Sequence, residues 1–467
     1  MQEDRMYSFL KKCFAACVVL AFFAILFAGD YMISLCIAIM VVLLVLLPRI
    51  PQKVFPVMLV AFALLIRVVV VFAIRTQPVS DFLLQYEAAQ KFAAGDYSYM
   101  DQNYFKKWGY QVGLVIYEGL LLKIHNGTAI IKLVNCLFST GTVYLVYKIC
   151  RRMVTENAAR FAAVCWMLLL FQTLYVTVLS NSVPSTFFIM LAVALYIKPR
   201  PEQKSRCLIR YSLIGICMAA SEFFWPGGII LILSLIATAV FAWIRERTVR
   251  RVLNEGVRLA VILVVYYAVF QLVSFGTVAA GYTEKGLTNG DPSWKLVVGT
   301  NFNTNGQYDE NLFVQISDIM QTQGVDREEA ESQIVKEHLS QGSTKLLQLA
   351  LQKLDVFWTD PTLDWSLQGL NNVDWLKTRM TAFASAQTWL ALISCLAGSM
   401  LFFRKPRNDE EYLLPFFIMA TFCCYIIIEI QPRYSYTVFA PIVMMSAWAA
   451  ESIGCCGQAL KEKFIKK

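Results

Sequence analysis

The residues able to do chemistry are few, and they sit at the edges of apolar runs. The string RTQPVSDFLLQYEAAQKFAAGDYSY begins at Arg75, just after one such run. Pro78 and Ser80 read as a helix start, with Ser80 as N-cap and Asp81 in the first turn, where the helix dipole favours a carboxylate. Glu87 and Lys91 form an i,i+4 pair further along, and Gly95 suits the stop. Phe82, Tyr86, Ala89 and Ala93 recur at helical spacing, so an amphipathic helix lying on a membrane surface is expected. A second string, EIQPRYSYTVFAP from Glu429, sets Glu429, Arg433 and Tyr434 at the mouth of two apolar runs, with Pro432 fixing the turn. Charges at that depth are expensive and are functional suspects. Arg433 has the two-pronged donor geometry to hold a phosphate with Glu429 orienting it; the alternative is a pair that only fixes the hairpin. A third string, WTDPTLDWSLQGLNNVDW, interleaves Trp358, Trp365 and Trp375 with Asp360, Asp364 and Asp374. Aromatic faces stack on the C–H face of a sugar while carboxylates and amides bond its hydroxyls; the other reading is an interfacial tryptophan belt over a solvated loop. Arg67, inside an apolar run, is expected to snorkel to the surface, and Lys123 to sit in a headgroup layer.

Other chemistries lack material. The only histidines are His125 and His338, too few for a His-rich metal site, and His338 reads as a solvated helix residue. The 13 cysteines all fall in apolar runs or beside basic loops. They read as small buried hydrophobes, without zinc spacing or a disulfide framework. Asp81 and Glu87 lie six apart, which leaves a divalent metal open, although no metal site is assigned.

The elements that must position these residues are membrane spans. The 467 residues are 57% apolar and only 16% charged, against about 45–50% and 25% in soluble domains. A span needs about 20 mostly apolar residues. Candidate runs cover 13–29, 31–48, 54–74, 128–149, 157–177, 182–198, 208–223, 224–244, 258–276, 386–403, 412–428 and 434–452. The first is read as a retained anchor, since no small-residue cleavage site follows it. Basic residues collect in alternate short loops: Arg49 and Lys53; Arg151 and Arg152; Arg245, Arg247, Arg250 and Arg251; Arg404, Lys405 and Arg407. Threading these to the cytoplasm gives about twelve spans with both termini inside. It also sends the polar stretches 75–107 and 277–385 and the turn 429–434 outside. The segment 108–124 is apolar enough to cross, but crossing would invert every later cluster, so it is expected to lie in the interface or re-enter. The formal charge of +9 is therefore a cytoplasmic-side excess and not a nucleic-acid footprint.

The expected organisation is an all-α polytopic membrane protein in four parts: an N-terminal hairpin (1–53), a core with an external loop at 75–127 (54–276), an acidic, partly helical external insertion (277–385), and C-terminal spans with a basic tail (386–467). Within the insertion, helices are expected near 309–321 and 326–357.

These pieces, in this order, resemble the GT-C superfamily of membrane glycosyltransferases, most of all the dolichyl-phosphate-mannose–protein mannosyltransferases (glycosyltransferase family 39) and the aminoarabinose transferases. The carrying residues are SDFLLQYEAAQKFAAGDYSY, the membrane-hugging segment to Ile124, KLVNCLFSTGTVYLVYKI and EIQPRYSYTVFAP. The likeness covers about residues 54–452 and departs from its relatives at Asn181, where many carry an acid, and at Phe223-Phe224-Trp225-Pro226, where many carry an arginine. It implies an inverting transfer of a sugar from a polyprenyl-phosphate donor to an envelope glycan, lipid or protein acceptor on the outer face. Asp81 would map to the aspartate that takes the acceptor's proton, and Arg433 to the arginine that neutralises the departing phosphate. Glu87, Glu429, Tyr434, Arg67, Lys123, Trp358 and Trp365 are the remaining candidate substrate contacts. A bacterial plasma membrane is favoured by the likeness over an endoplasmic-reticulum setting. A polyprenyl-linked glycan polymerase or ligase, and a lipid or solute transporter, are the alternatives; a transporter should show ionisable residues at mid-membrane and matching halves. The oligomeric state is not legible.

Overall fold

A computed structural model describes residues 31–197, 204–361, 363–370 and 372–465, with side chains outside 204–206 and 455–465. The span expected over 13–29 lies outside the described residues. Every regular element described is helical, apart from one isolated bridge between Trp108 and Asn289.

The chain opens with α1 (Tyr31–Leu46) and α2 (Phe55–Ile74), then leaves the bundle for α3 (Asp81–Ala94) and α4 (Val112–Ile124). It returns through α5 (Thr128–Cys150), α6 (Glu156–Leu168), α7 (Leu170–Leu174), α8 (Ser182–Tyr196), α9 (Lys204–Phe224), α10 (Gly228–Glu246) and α11 (Val249–Ala279). The insertion holds α12 (Trp294–Gly299), α13 (Asn311–Gln323), α14 (Arg327–Leu339) and α15 (Ser343–Thr359). The chain then re-enters with α16 (Asp374–Phe402), α17 (Leu413–Ile427) and α18 (Phe439–Ile465). Among the described residues, eight helices are long and apolar enough to cross a membrane, and α6 with the segment 170–177, bent by 57°, forms either a broken ninth span or a re-entrant loop. Each apolar run expected from residue 31 onward has a helix, and α18 carries the core, with Met444, Met445 and Ala447 fully buried. Large apolar side chains such as Val57, Leu65, Phe72, Leu396 and Met400 face outward, as lipid contact requires.

Two packing details show how the spans fit. The break at Leu169 frees backbone groups that lipid could not satisfy. Gln387 of α16 supplies them, accepting from Leu170 N–H (2.8 Å) and donating to Leu168 C=O (2.9 Å). On α16, Gly398 lies so close to α18 that a Cβ would fall 2.0 Å from the Met445 carbonyl oxygen, the small-residue packing that lets spans approach.

At one end of the bundle the basic loops knit together. Arg160 donates to the carbonyls of Leu47 (3.0 Å) and Ile50 (2.7 Å), and Arg245 pairs with Asp409 at 3.0 Å. Arg258 reaches Glu255 at 3.2 Å. The external loop and the insertion gather at the opposite end.

Several expected boundaries move. The segment 108–124 is no single helix, because residues 109–111 form a 3-10 turn and α4 has only 13 residues. Nor does α3 lie alone on a surface. It buries Ala88, Ala89 and Phe92 against α4, whose Gly119 leaves no room for a Cβ beside the Phe92 ring. The helix expected over 326–357 breaks at Gly342, whose φ of +93° suits only glycine. The last run is helical only from Phe439, since residues 432–435 form a 3-10 turn. His338 is not solvated: it is half-buried, with Nδ1 3.0 Å from Thr300 Oγ1. No disulfide joins the cysteines whose side chains are described.

Candidate active site

The external loop and the insertion meet edge to edge. Tyr110 N–H donates to Thr288 C=O (3.0 Å) and Gly290 N–H to Lys107 C=O (2.7 Å). Beneath this seam, Asp291 and Glu331 are buried with Arg327, which lies 2.8 Å and 2.9 Å from them. The two layers enclose an open cleft with about 1500 Å³ of empty volume, floored by the turn after α17.

Asp81 stands at the lip, the first residue of α3. The Ser80 side chain makes no cap bond; the residue instead holds φ +51° and ψ −136°, a conformation L-residues rarely adopt. Such strain persists where the surroundings over-determine it and concentrates at functional sites. Opposite stands Arg433, its guanidinium 3.5 Å from the Asp81 carboxylate. The Arg433 cation lies over three rings, Phe82 at 5.2 Å, Trp365 at 5.1 Å and Tyr434 at 5.6 Å. Trp365 arrives on the strap before α16, which is tied down where Thr76 Oγ1 donates to Ser366 C=O (2.7 Å).

The second charged pair was not foreseen. Lys295, from α12, bonds the Glu429 carboxylate and donates to the Tyr434 hydroxyl at 3.1 Å. Gln431 donates to the other Glu429 oxygen (2.8 Å). The Tyr434 ring packs on Trp225 at 5.1 Å, and Trp225 lines this cleft. Lys295 and Arg433 thus flank Tyr434, two cations facing one space.

The electrostatics divide the roles. Burial opposes the charged form of Arg433, but the Tyr434 and Tyr175 hydroxyls and the Asp81 carboxylate outweigh it and hold the guanidinium pKa above its ordinary value. Burial pushes the Tyr110 phenol up to about 12, and burial with the nearby Asp81 charge lifts Tyr104 well above its ordinary value. Both phenols therefore stay protonated at neutral pH, and the Tyr104 hydroxyl accepts from Gln85 Nε2 at 3.0 Å. Glu429 is 2% exposed and already bonded, whereas the Asp81 side chain is 40% exposed. Among the carboxylates paired with a cation here, Asp81 is the one an incoming group can reach.

Of the residues singled out from sequence, Asp81, Arg433, Glu429, Tyr434 and Trp365 line this cleft. Others lie elsewhere. Glu87 is exposed on α3 and does not share the cleft with Asp81, so the two do not form a metal site. Among the described residues no three His, Cys, Asp or Glu side chains group to hold a metal. Lys91 donates to Ser98 Oγ at 3.3 Å. Lys123 lies over the Phe92 ring at 5.1 Å. Arg67 does not snorkel: it is buried, donating to Ser139 Oγ (2.6 Å) and to Ala63 C=O (3.1 Å). The three tryptophans do not form one platform. Trp358 is buried against Phe357, and Trp375 is exposed on α16. Reading the insertion as acidic hid Lys295, the sole basic residue between 286 and 326; that isolation was the signal available.

The fold is similar to that of a solved archaeal oligosaccharyltransferase. The Archaeoglobus fulgidus oligosaccharyltransferase in its apo form matches at a TM-score of 0.50 and 15% identity, over 88% of this chain and 52% of that one. The same archaeal enzyme, AglB, in complex with an inhibitory peptide and a dolichol-phosphate, matches at 0.50 and 14% identity over 88% and 52%. This chain therefore spans about half the length of that enzyme. ArnT from Cupriavidus metallidurans, bound to undecaprenyl phosphate, matches at 0.39 and 13% identity, over 85% of this chain and 76% of that one. No family profile matches the sequence, and no curated protein does.

Proposed function

We propose that this protein transfers a sugar from a polyprenyl-phosphate-linked donor to a hydroxyl of an envelope glycan, lipid or protein, with inversion. The observation that carries the reading is the reachable Asp81 carboxylate held 3.5 Å from an aromatic-caged arginine at the mouth of the bundle. In the reaction the acceptor oxygen attacks the anomeric carbon, the bond from that carbon to the phosphate oxygen breaks, and the acceptor proton passes to Asp81. The leaving phosphate gains one negative charge as Asp81 loses one. Arg433, which neutralises Asp81 at rest, is freed to the phosphate at the moment charge develops there, which is differential binding of the transition state. Lys295 faces the same space from the other side of Tyr434 and would share the phosphate. The aromatic rings lining the cleft suit the C–H faces of a sugar and the first isoprene units. The basic end of the bundle faces the cytoplasm by the positive-inside rule, so the cleft opens outward; we place the protein in a bacterial plasma membrane.

Purified protein in vesicles, given radiolabelled undecaprenyl- and dolichyl-phosphate sugars with a panel of envelope acceptors, should move label from lipid to acceptor. Uptake of solute into sealed vesicles with no transfer of label would sink the proposal in favour of a transporter.

A further inference from the structure

Lys353 is a buried cation that the chemistry above does not use. It sits on α15 at 1% exposure. Its ammonium donates to three backbone carbonyls: Gly299 (2.9 Å), Ile426 (2.8 Å) and Ile428 (2.7 Å). Gly299 ends α12, the helix that carries Lys295. Ile426 and Ile428 belong to the C-terminal turn of α17 and the first step of the strap to Arg433. The last carbonyls of a helix have no intrahelical partner and form the negative end of its dipole. A lysine has three donors and no acceptor, the complement such a site requires.

The same junction is fastened on both sides. Glu429 N–H donates to Lys295 C=O (2.7 Å), and Ile430 N–H to Gly306 C=O (2.9 Å). Gly306 has φ +74°, and a Cβ there would meet the Lys353 side chain at 2.9 Å. A Cβ on Gly299 would come within 2.4 Å of the Ile427 carbonyl oxygen. The backbones bearing Lys295 and Glu429 are thus drawn together around one ammonium, which itself does not line the cleft.

We propose that Lys353 is a positioning residue: it clamps α12 of the insertion to the strap after α17, and so sets the spacing of Lys295, Glu429 and Arg433 in the cleft. The proposal rests on the transferase reading only for what the cleft binds; the clamp can be tested without it.

The full-length protein is labelled with 5-fluorotryptophan, its fluorine resonances are assigned by single Trp→Phe substitutions, and Lys353→Met and Lys353→Arg are compared with wild type. Lys353→Met should shift the Trp225 resonance, because that ring packs on Tyr434, while Trp166 and Trp448 in the distant core stay put. Lys353→Arg should restore much of the wild-type position. Binding of undecaprenyl phosphate should weaken at least tenfold in Lys353→Met. An unmoved Trp225 resonance in a folded Lys353→Met protein overturns the proposal, and so does a shift spread equally over the core tryptophans. If Lys353→Met does not fold, Lys353→Gln, which keeps two donors, is read the same way; failure of both to fold makes the lysine a determinant of the fold, not of the site, and also overturns the proposal. Absence of undecaprenyl phosphate binding in wild type would count against the transferase reading alone, since the fluorine signal does not depend on it.

Discussion

Asp81→Asn separates chemistry from architecture at the proposed site. The amide keeps the shape of the carboxylate but cannot take a proton. Its structural cost lies between two limits: the Asp81–Arg433 pair spans 3.5 Å with the Asp81 side chain 40% exposed and Arg433 buried, so the cost is above the about 0–1 kcal/mol of a surface pair and below the about 3–5 kcal/mol of a fully buried pair that loses one partner. A charge at a helix N-terminus adds about 0.3–1 kcal/mol. Loss of a general base costs about 10²- to 10⁴-fold in rate, or roughly 3–5 kcal/mol of barrier at about 1.36 kcal/mol per decade. The two effects are therefore told apart by measurement: the melting curve reads the stability cost, and turnover of the folded protein reads the loss of the base. Removing the carboxylate also leaves Arg433 without its resting counter-charge, so undecaprenyl phosphate should bind as well as to wild type, or more tightly. The assay is transfer of label in vesicles alongside thermal melting and titration with undecaprenyl phosphate. Transfer within about threefold of wild type, far short of the loss a missing base brings, would refute the assignment. Weakened lipid-phosphate binding with undiminished turnover would refute it equally, because the carboxylate would then belong to the binding site and not to the proton transfer.

Further outcomes follow from the same geometry. Lys295→Met strands the buried Glu429 carboxylate and should cost about 3–5 kcal/mol of stability as well as undecaprenyl phosphate binding; adding Glu429→Gln should recover the melting temperature without the binding. Trp365→Ala removes one wall of the Arg433 cage, about 1–2 kcal/mol of cation–π attraction, and should raise KM for the lipid donor by roughly tenfold. Trp358→Ala instead opens a cavity in the core and should cost about 3–5 kcal/mol of stability while leaving KM unchanged in the protein that folds. Burial and the neighbouring Asp291 charge lift the Glu331 pKa above its ordinary 4.5. The folded state then binds more protons than the unfolded one above pH 4.5, so this group's contribution favours the fold in acid and is lost as pH rises toward neutrality. Amide exchange of α14 should be faster at pH 8 than at pH 5 by more than the intrinsic change, and Glu331→Gln should abolish that excess.

Much of the candidate site was legible because its chemistry is local. Asp81 announces itself as an acid at a helix start beyond an apolar run, and Arg433 as a charge where apolar runs meet. The spans were legible because lipid imposes one requirement on every residue in a run. What failed were inferences that needed partners. Arg67 was expected at the surface on its depth alone, but it bonds Ser139 from α5 in the interior. Trp358, Trp365 and Trp375 share a spacing and part company in space. Lys295 and Lys353 were not singled out, since nothing near them in sequence shows what they face.

The sequence by itself determined that this chain crosses a membrane many times, which ends of its spans carry charge, and which acid and arginine could meet there. Periodicity, hydropathy and the sign of loop charges are properties of a segment, and lipid reads them segment by segment. Only the tertiary structure decided that Lys295 and Arg433 flank one tyrosine, that Asp81 stays reachable while Glu429 is locked, and that Lys353 draws two distant backbones together. Those facts are distances between residues more than a hundred positions apart or on separate helices, and such distances exist only once the helices have packed.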